Sequence, residues 1–132
     1  MIFVDISVWF ARFVPKGLNH IRTTTWLDEN SEVLTTSDYC VDEVLTLLSV
    51  RERPSLAVEA GREFFDETLA RLHYLSTTQI QRAWILFQQR AAAGGSFTDC
   101  TSKVLIDDLG ITSAASFDRH FEHFGVQILP TN

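Results

Sequence analysis

The sequence has few of the residues that mark secreted or membrane proteins. Of its 132 residues only two are cysteines, Cys40 and Cys100, and they form no CxxC pair. We therefore expect free thiols and a cytoplasmic location. No apolar run approaches the roughly 20 residues that span a bilayer. The apolar start, MIFVDISVWF, lacks a basic leader and contains Asp5, which argues against a secretory signal.

Basic residues are also scarce, and only two of them are lysines. Eleven bases stand against 17 acids, which gives a net charge of −6. This balance argues against a protein that binds nucleic acid through a broad basic face. Any contact with a phosphate must instead come from a few bases or from a bound cation.

Short apolar runs alternate with helical patterns along the chain, without repeats or linkers. Strands are predicted at 2–5, 32–36, 71–75, 111–115 and 126–129. Helices are predicted at 7–14, 19–30, 41–53, 55–69, 77–93, 99–109 and 116–124. This alternation predicts a single α/β domain over residues 1–132, with a five-stranded, mainly parallel sheet between two helical layers.

Four acidic residues lie where an apolar run gives way to a helical pattern, or in the first turns of such a helix. They are Asp5, Glu43, Asp99 and Asp118. In a parallel sheet these junctions collect outside the carboxyl ends of the strands. Carboxylates gathered there repel one another unless a cation neutralises them. A divalent metal held by carboxylates in an open cleft indicates phosphodiester chemistry. Taken singly, each acid is also explained as a helix cap or a dipole partner.

Hydroxyl and basic side chains near these acids are candidates for supporting roles. The hydroxyls that could order metal-bound water are Ser7, Ser96 and Thr98. The bases that could border the cleft and position RNA are Arg12, Lys16, Arg51 and Arg53. Each base is also explained as solvated helix surface. Phosphate contacts of this kind position the nucleic acid without specifying a base.

Other chemistries fit the sequence less well. His120 and His123 have i, i+3 spacing and could face one metal, but no third ligand of that type lies nearby, which favours a surface or packing role. Cys100 beside Asp99 is better explained as a thiol in a helix core than as a nucleophile. Haloacid-dehalogenase-like phosphatases and receiver domains need a suitably placed lysine, and Lys16 and Lys103 are badly placed for either.

Four segments, in order, resemble the conserved blocks of PIN domains, above all the small stand-alone VapC-type toxins. They are VDISVWFA, TTSDYCVDEVLTLL, GGSFTDCTSKVLIDDLGI and SAASFDRHFEHFGVQILP. The resemblance covers essentially the whole chain. It implies a five-stranded parallel sheet and an endoribonuclease that depends on Mg²⁺ or Mn²⁺ and leaves a 5′ phosphate. It also implies a cognate antitoxin as partner and frequent homodimerisation.

By the same resemblance, the acids of the motif are Asp5, Glu43, Asp99 and Asp118, and its hydroxyls are Ser7 and Thr98, with Ser96 close by. The residue after the first acid is commonly Thr or Ser in this family, whereas here it is Ile6. That difference removes one hydroxyl contact but leaves Ser7.

The resemblance leaves three roles open: a toxin, a housekeeping RNA-processing nuclease, and an inactive module that binds RNA or protein. The complete acidic quartet argues against the inactive module. A partner is expected to bind the helices after the first and second strands, where the aromatic side chains are Trp9, Phe10, Phe13 and Trp26. Ordinary core packing explains these aromatic residues equally well.

Overall fold

The structure, a computed structural model, describes residues 1–130 and confirms the predicted α/β fold. Five parallel strands form one sheet in the order β3-β2-β1-β4-β5. The strands are β1 (Ile2–Val4), β2 (Leu34–Ser37), β3 (Arg71–His73), β4 (Ser113–Ala115) and β5 (Gln127–Leu129). The helices are α1 (Ile6–Phe13), α2 (His20–Glu29), α3 (Asp38–Arg51), α4 (Pro54–Phe65), α5 (Thr77–Arg90) and α6 (Phe97–Asp108). Two 3₁₀ turns lie at Ala91–Ala93 and Arg119–His123.

The central strand β1 is buried on both faces, as expected of a parallel sheet between helices. Ile2 and Val4 belong to the apolar cluster built with α1, α3 and α4. Phe3 belongs to a second cluster, on the opposite face, built with α6 and the Arg119–His123 turn. Helix α5 packs on α6 through a third cluster. The result is the predicted three-layer arrangement, and none of its described helices is long and apolar enough to cross a bilayer.

The aromatic residues of α1 take part mainly in this core. Trp9 is fully buried and meets the ring of Phe64 edge-on at 5.2 Å. Phe13 is 8% exposed and packs on the same ring at 5.7 Å. The expectation that Trp9 and Phe13 anchor a partner is therefore wrong. Trp26 is half-buried against the same core.

Two helix boundaries differ from the predicted ones for local reasons. Helix α3 begins at Asp38 rather than at residue 41, because the Ser37 hydroxyl accepts a hydrogen bond from the Cys40 amide and caps the helix. Pro54 does more than end the preceding helix, since it is the first residue of α4. Proline suits that position because the amide hydrogen it lacks would have no partner there.

The order of the strands determines where a site can form. The chain adds β2 and β3 on one side of β1 and then β4 and β5 on the other, so its direction of winding reverses between β1 and β4. Val4 and Ala115 are in register at this reversal, and the Asp5 amide donates to the Ala115 carbonyl at 2.9 Å. In open parallel sheets the crevice at such a point is the usual ligand site.

Candidate active site

An open cleft of about 540 Å³ lies at the carboxyl ends of β1 and β4. All four predicted acids line it, and so do the hydroxyl residues Ser7 and Ser96. Thr98 does not line the cleft, although its carbonyl accepts a hydrogen bond from Thr101 within α6. The sequence therefore predicted the acidic lining of this cleft, and one of the three predicted hydroxyls lies outside it.

Asp5 is the deepest of the four acids, being only 3% exposed. It caps α1, and its Oδ2 accepts hydrogen bonds from the hydroxyls of Ser7 and Ser116, both at 3.0 Å. Burial and the nearby charge of Asp99 raise the pKa of Asp5 to about 6.

Asp99 is held in the first turn of α6 by a reciprocal cap. Its amide donates to the Ser96 hydroxyl at 3.0 Å, and its Oδ2 accepts from the Ser96 amide at 3.2 Å. Its Oδ1 receives no hydrogen bond within the described chain. Burial raises the pKa of Asp99, and the charge of Asp118 adds to that effect.

Glu43 enters the cleft from the second turn of α3. Its side chain is half-buried and makes no hydrogen bond to the described residues. Burial raises the pKa of Glu43, with further contributions from the charges of Asp99 and Asp42. The raised pKa therefore reflects first the loss of water around the carboxylate and then repulsion from its acidic neighbours.

Asp118 lies just beyond β4, and it caps a 3₁₀ turn instead of standing in the first turn of an α-helix over 116–124. Its amide donates to the Ser116 hydroxyl at 2.9 Å. Its Oδ1 accepts from the His120 amide at 2.9 Å and lies 2.8 Å from the His120 Nδ1. Its Oδ2 has no hydrogen bond from the residues described. Asp99, Asp118 and His120 each offer one ligand atom within 4.8 Å of the other two.

Two residues of this arrangement were missed in the sequence. Ser116 is buried and joins Asp5 to Asp118, because its hydroxyl donates to Oδ2 of Asp5 and accepts from the amide of Asp118. His120 was expected to have a surface or packing role, but it lies in the acidic cluster. Its ring is partly exposed, as expected, but its contact with Asp118 was not foreseen, because the sequence was searched for a third histidine and not for the carboxylate two residues earlier.

The four predicted RNA-positioning bases separate in the structure. Arg51 lines the cleft, and its guanidinium lies 6.0 Å from the centre of the Phe10 ring. Arg12 is paired with Glu63 at 3.3 Å, beside a different groove. Lys16 pairs with Glu52 at 3.2 Å, and the exposed Arg53 precedes α4 outside the cleft lining.

The cysteines are unsuited to nucleophilic chemistry. Cys40 is fully buried, and burial raises the pKa of its thiol to about 12. Burial likewise raises the pKa of Cys100. Because the thiolate is the reactive form, neither thiol competes with the acidic cluster as the reacting group.

Comparisons with known proteins agree with the fold described above and with the resemblance noted in the sequence. No protein-family model matches the chain. The sequence is 29% identical over 133 aligned positions to the 23S rRNA-specific endonuclease VapC20 of Mycobacterium tuberculosis, in strains CDC 1551 / Oshkosh and ATCC 25618 / H37Rv. That alignment covers 98% of this chain and 99% of the relative.

A comparison with solved structures finds the same relative as the sequence comparison. The crystal structure of M. tuberculosis VapC20, described as a sarcin-ricin loop cleaving toxin, superposes with a TM-score of 0.89 at 27% identity over 96% of each chain. FitAB bound to the IR36 DNA fragment gives 0.72 at 15% identity, covering 98% of this chain and 94% of the other. FitAcB from Neisseria gonorrhoeae gives 0.71 at 15% identity, covering 98% and 97%. The two Fit structures show likeness of fold only.

Proposed function

Because this chain belongs to the VapC-type PIN-domain family, we propose that it is a divalent-metal-dependent endoribonuclease and the toxin of a toxin–antitoxin pair. The observation that carries the proposal is the convergence of Asp5, Glu43, Asp99 and Asp118 on one cleft. The relative named as a 23S rRNA-specific endonuclease supports ribosomal RNA as the substrate class.

The donor atoms of the cleft fit a hard divalent cation. In each of the three aspartates, one oxygen accepts hydrogen bonds from serine or histidine donors, which fixes the direction of the carboxylate. Carboxylate oxygens are the ligands that Mg²⁺ and Mn²⁺ prefer. The raised pKa values of Asp5, Asp99 and Glu43 express the same need for positive charge. The metal is therefore proposed to be Mg²⁺ or Mn²⁺.

In this mechanism the chain provides the ligands and their orientation. Asp5, Asp99 and Asp118 would hold the metal, and Glu43 would hold it or its water. A bound divalent metal would lower the pKa of water and stabilise the charge on the phosphate. Ser7, Ser116 and Ser96 keep the carboxylates oriented through the hydrogen bonds described above. No side chain is required as a nucleophile, and RNA is cut to leave a 5′ phosphate.

The walls of the cleft suggest how RNA is held. Phe10 and Phe117 line it beside the acids, and Arg51 provides a positive charge on the same side as Phe10. Bases stack on aromatic rings without regard to sequence, which contributes about 1–3 kcal/mol per base. These residues are proposed to bind nucleotides next to the cut phosphate, with Arg51 as the phosphate contact.

The remaining features of the proposal follow from the family. Residues 1–132 form one PIN domain, the protein acts in the cytoplasm, and a cognate antitoxin inhibits it. A homodimer is the expected assembly. The antitoxin should be sought among proteins whose genes adjoin the gene for this chain, since toxin and antitoxin are expected to be produced together.

The decisive test compares Asp99→Asn with Asp28→Asn, a matched change at an exposed position on α2 that does not line the cleft. With Mg²⁺ or Mn²⁺, we expect Asp99→Asn to lower cleavage of a ribosomal RNA fragment at least 100-fold, and Asp28→Asn to leave it unchanged. In cells, wild type should arrest growth, co-expression of the neighbouring reading frame should relieve the arrest, and Asp99→Asn should be harmless. Wild-type rates for Asp99→Asn would refute the assignment. Cleavage without growth arrest would favour a housekeeping nuclease.

A further inference from the structure

His120 is the residue of the acidic cluster whose role the family comparison leaves undefined. It lies in the Arg119–His123 turn, and its ring is partly exposed at the edge of the cleft. Its Nδ1 is 2.8 Å from Oδ1 of Asp118 and 3.9 Å from Oδ2 of Asp99. Two different roles fit these positions, a metal ligand or a donor that orients Asp118.

The hydrogen bonds around Asp118 favour the donor. Oδ1 of Asp118 already accepts from the backbone amide of His120 at 2.9 Å, so it lies between two donors of the same residue. At 2.8 Å from a carboxylate oxygen, Nδ1 is at hydrogen-bond distance, and we assign the hydrogen to Nδ1 because a carboxylate oxygen is an acceptor. Nδ1 then has no free lone pair for a metal, so a metal could be bound only through Nε2.

The opposite edge of the ring faces the turn that precedes α6. A Cβ placed on Gly94 would lie 3.5 Å from Nε2, and the backbone of Ala93 also faces the imidazole, so Nε2 points toward this turn rather than toward the aspartates. Gly94 has φ 91°, a left-handed conformation in which side chains are disfavoured, and this lets the turn lie close to the imidazole. His120 therefore spans the gap between the loop that carries Asp118 and the turn leading to Asp99.

We propose that His120 is a positioning residue: its Nδ1–H fixes the Asp118 carboxylate through Oδ1 and leaves Oδ2 for the metal. This inference rests on the proposed metal-dependent nuclease function. The alternative is that His120 itself coordinates the metal. Hydrogen-bond partners that orient a metal ligand typically change metal affinity or activity by roughly 10–100-fold when they are removed.

The test uses the two amides that imitate different ring nitrogens. The nitrogen of asparagine can take the place of Nδ1, whereas the nitrogen of glutamine reaches further, toward Nε2. We expect His120→Ala and His120→Gln to lower both kcat and Mn²⁺ affinity by roughly 10–100-fold, and His120→Asn to recover most of the loss. His123→Ala is the control, because His123 is an exposed histidine of the same turn. It should match wild type.

A spectroscopic measurement separates the two roles directly. Pulsed electron paramagnetic resonance of Mn²⁺ bound to the wild-type protein detects a directly coordinated ¹⁴N nucleus. We expect no such coupling, and its presence would overturn the proposal. Equal losses in His120→Asn and His120→Ala would also overturn it, as would an unchanged His120→Ala. If His120→Ala does not fold, the asparagine and glutamine variants and the spectrum still decide. Cleavage by wild type and its loss in Asp99→Asn test the underlying nuclease function independently.

Discussion

At the scale of single residues, Asp5 carries a charge at a position where that charge is costly. Its pKa rises from 3.8 to about 6 because burial removes water from the carboxylate. The folded protein therefore holds a proton more tightly than the unfolded chain does. Stability without metal should fall as pH rises from about 4 to 6, by roughly 3 kcal/mol for a shift of two pKa units. Above that window the whole penalty is present.

Replacing Asp5 by Asn should therefore stabilise the metal-free protein while removing a metal ligand. At pH 7.5 with a chelator, we expect the free energy of unfolding of Asp5→Asn to be about 1–3 kcal/mol higher than that of the wild type. Asparagine keeps an oxygen that can accept from Ser7 and Ser116. The difference should shrink toward zero below about pH 3, where the wild-type carboxyl is protonated in both states. Urea denaturation at the two pH values measures it.

The control for that comparison is again Asp28→Asn, which should track wild type at both pH values. If Asp5→Asn were less stable than wild type at pH 7.5 in chelator, the carboxylate would be stabilising the fold. The claim that ionising Asp5 destabilises the metal-free protein would then be wrong.

At the scale of secondary-structure elements, the chain contains two reciprocal caps of the same design. Ser96 and Asp99 cap α6 inside the cleft, while Ser76 and Gln79 cap α5 outside it. Removing either serine hydroxyl should cost about 1 kcal/mol of unfolding free energy. Only the first should also loosen a metal ligand. The pair therefore separates the stability of a helix end from the orientation of the site.

We expect Ser96→Ala to lower stability by about as much as Ser76→Ala does, and in addition to weaken Mn²⁺ binding several-fold. Ser76→Ala should leave metal binding unchanged. Thermal unfolding in chelator and calorimetric titration with Mn²⁺ measure the two effects. Equal metal affinity in the two variants would mean that the Ser96 cap does not orient Asp99.

The elements also show what could be predicted from sequence. Asp5 and Asp99 were found because each stands at a junction with a local signal, the end of an apolar run or the SFTD cap. Ser116 was missed because its partner lies 111 residues away, and only the register between β1 and β4 brings them together. The start of α3 was misplaced because Ser37 is both the last residue of β2 and the helix cap.

At the scale of the whole molecule, the charge balance constrains how RNA can bind. The net charge is −6, and several bases are neutralised by acids, as in Arg12–Glu63, Lys16–Glu52 and Arg82–Asp108. Among the described residues, Arg51 is the only lysine or arginine lining the cleft. A protein with so few phosphate contacts should depend on the metal and on stacking for its affinity, rather than on a basic surface.

That constraint predicts a weak salt dependence. For single strands, each phosphate contact adds about −0.7 to the slope of log affinity against log salt. At fixed Mg²⁺ we expect kcat/KM on a short RNA to fall with KCl at a slope shallower than about −2. Arg51→Ala should make that slope shallower by about 0.7 and raise KM more than it lowers kcat. Arg53→Ala, which removes an exposed guanidinium two residues away and outside the cleft, should change neither. A steep slope that persists in Arg51→Ala would show that lysine or arginine residues elsewhere on the surface bind the RNA. Contacts in the cleft alone would then not explain substrate binding.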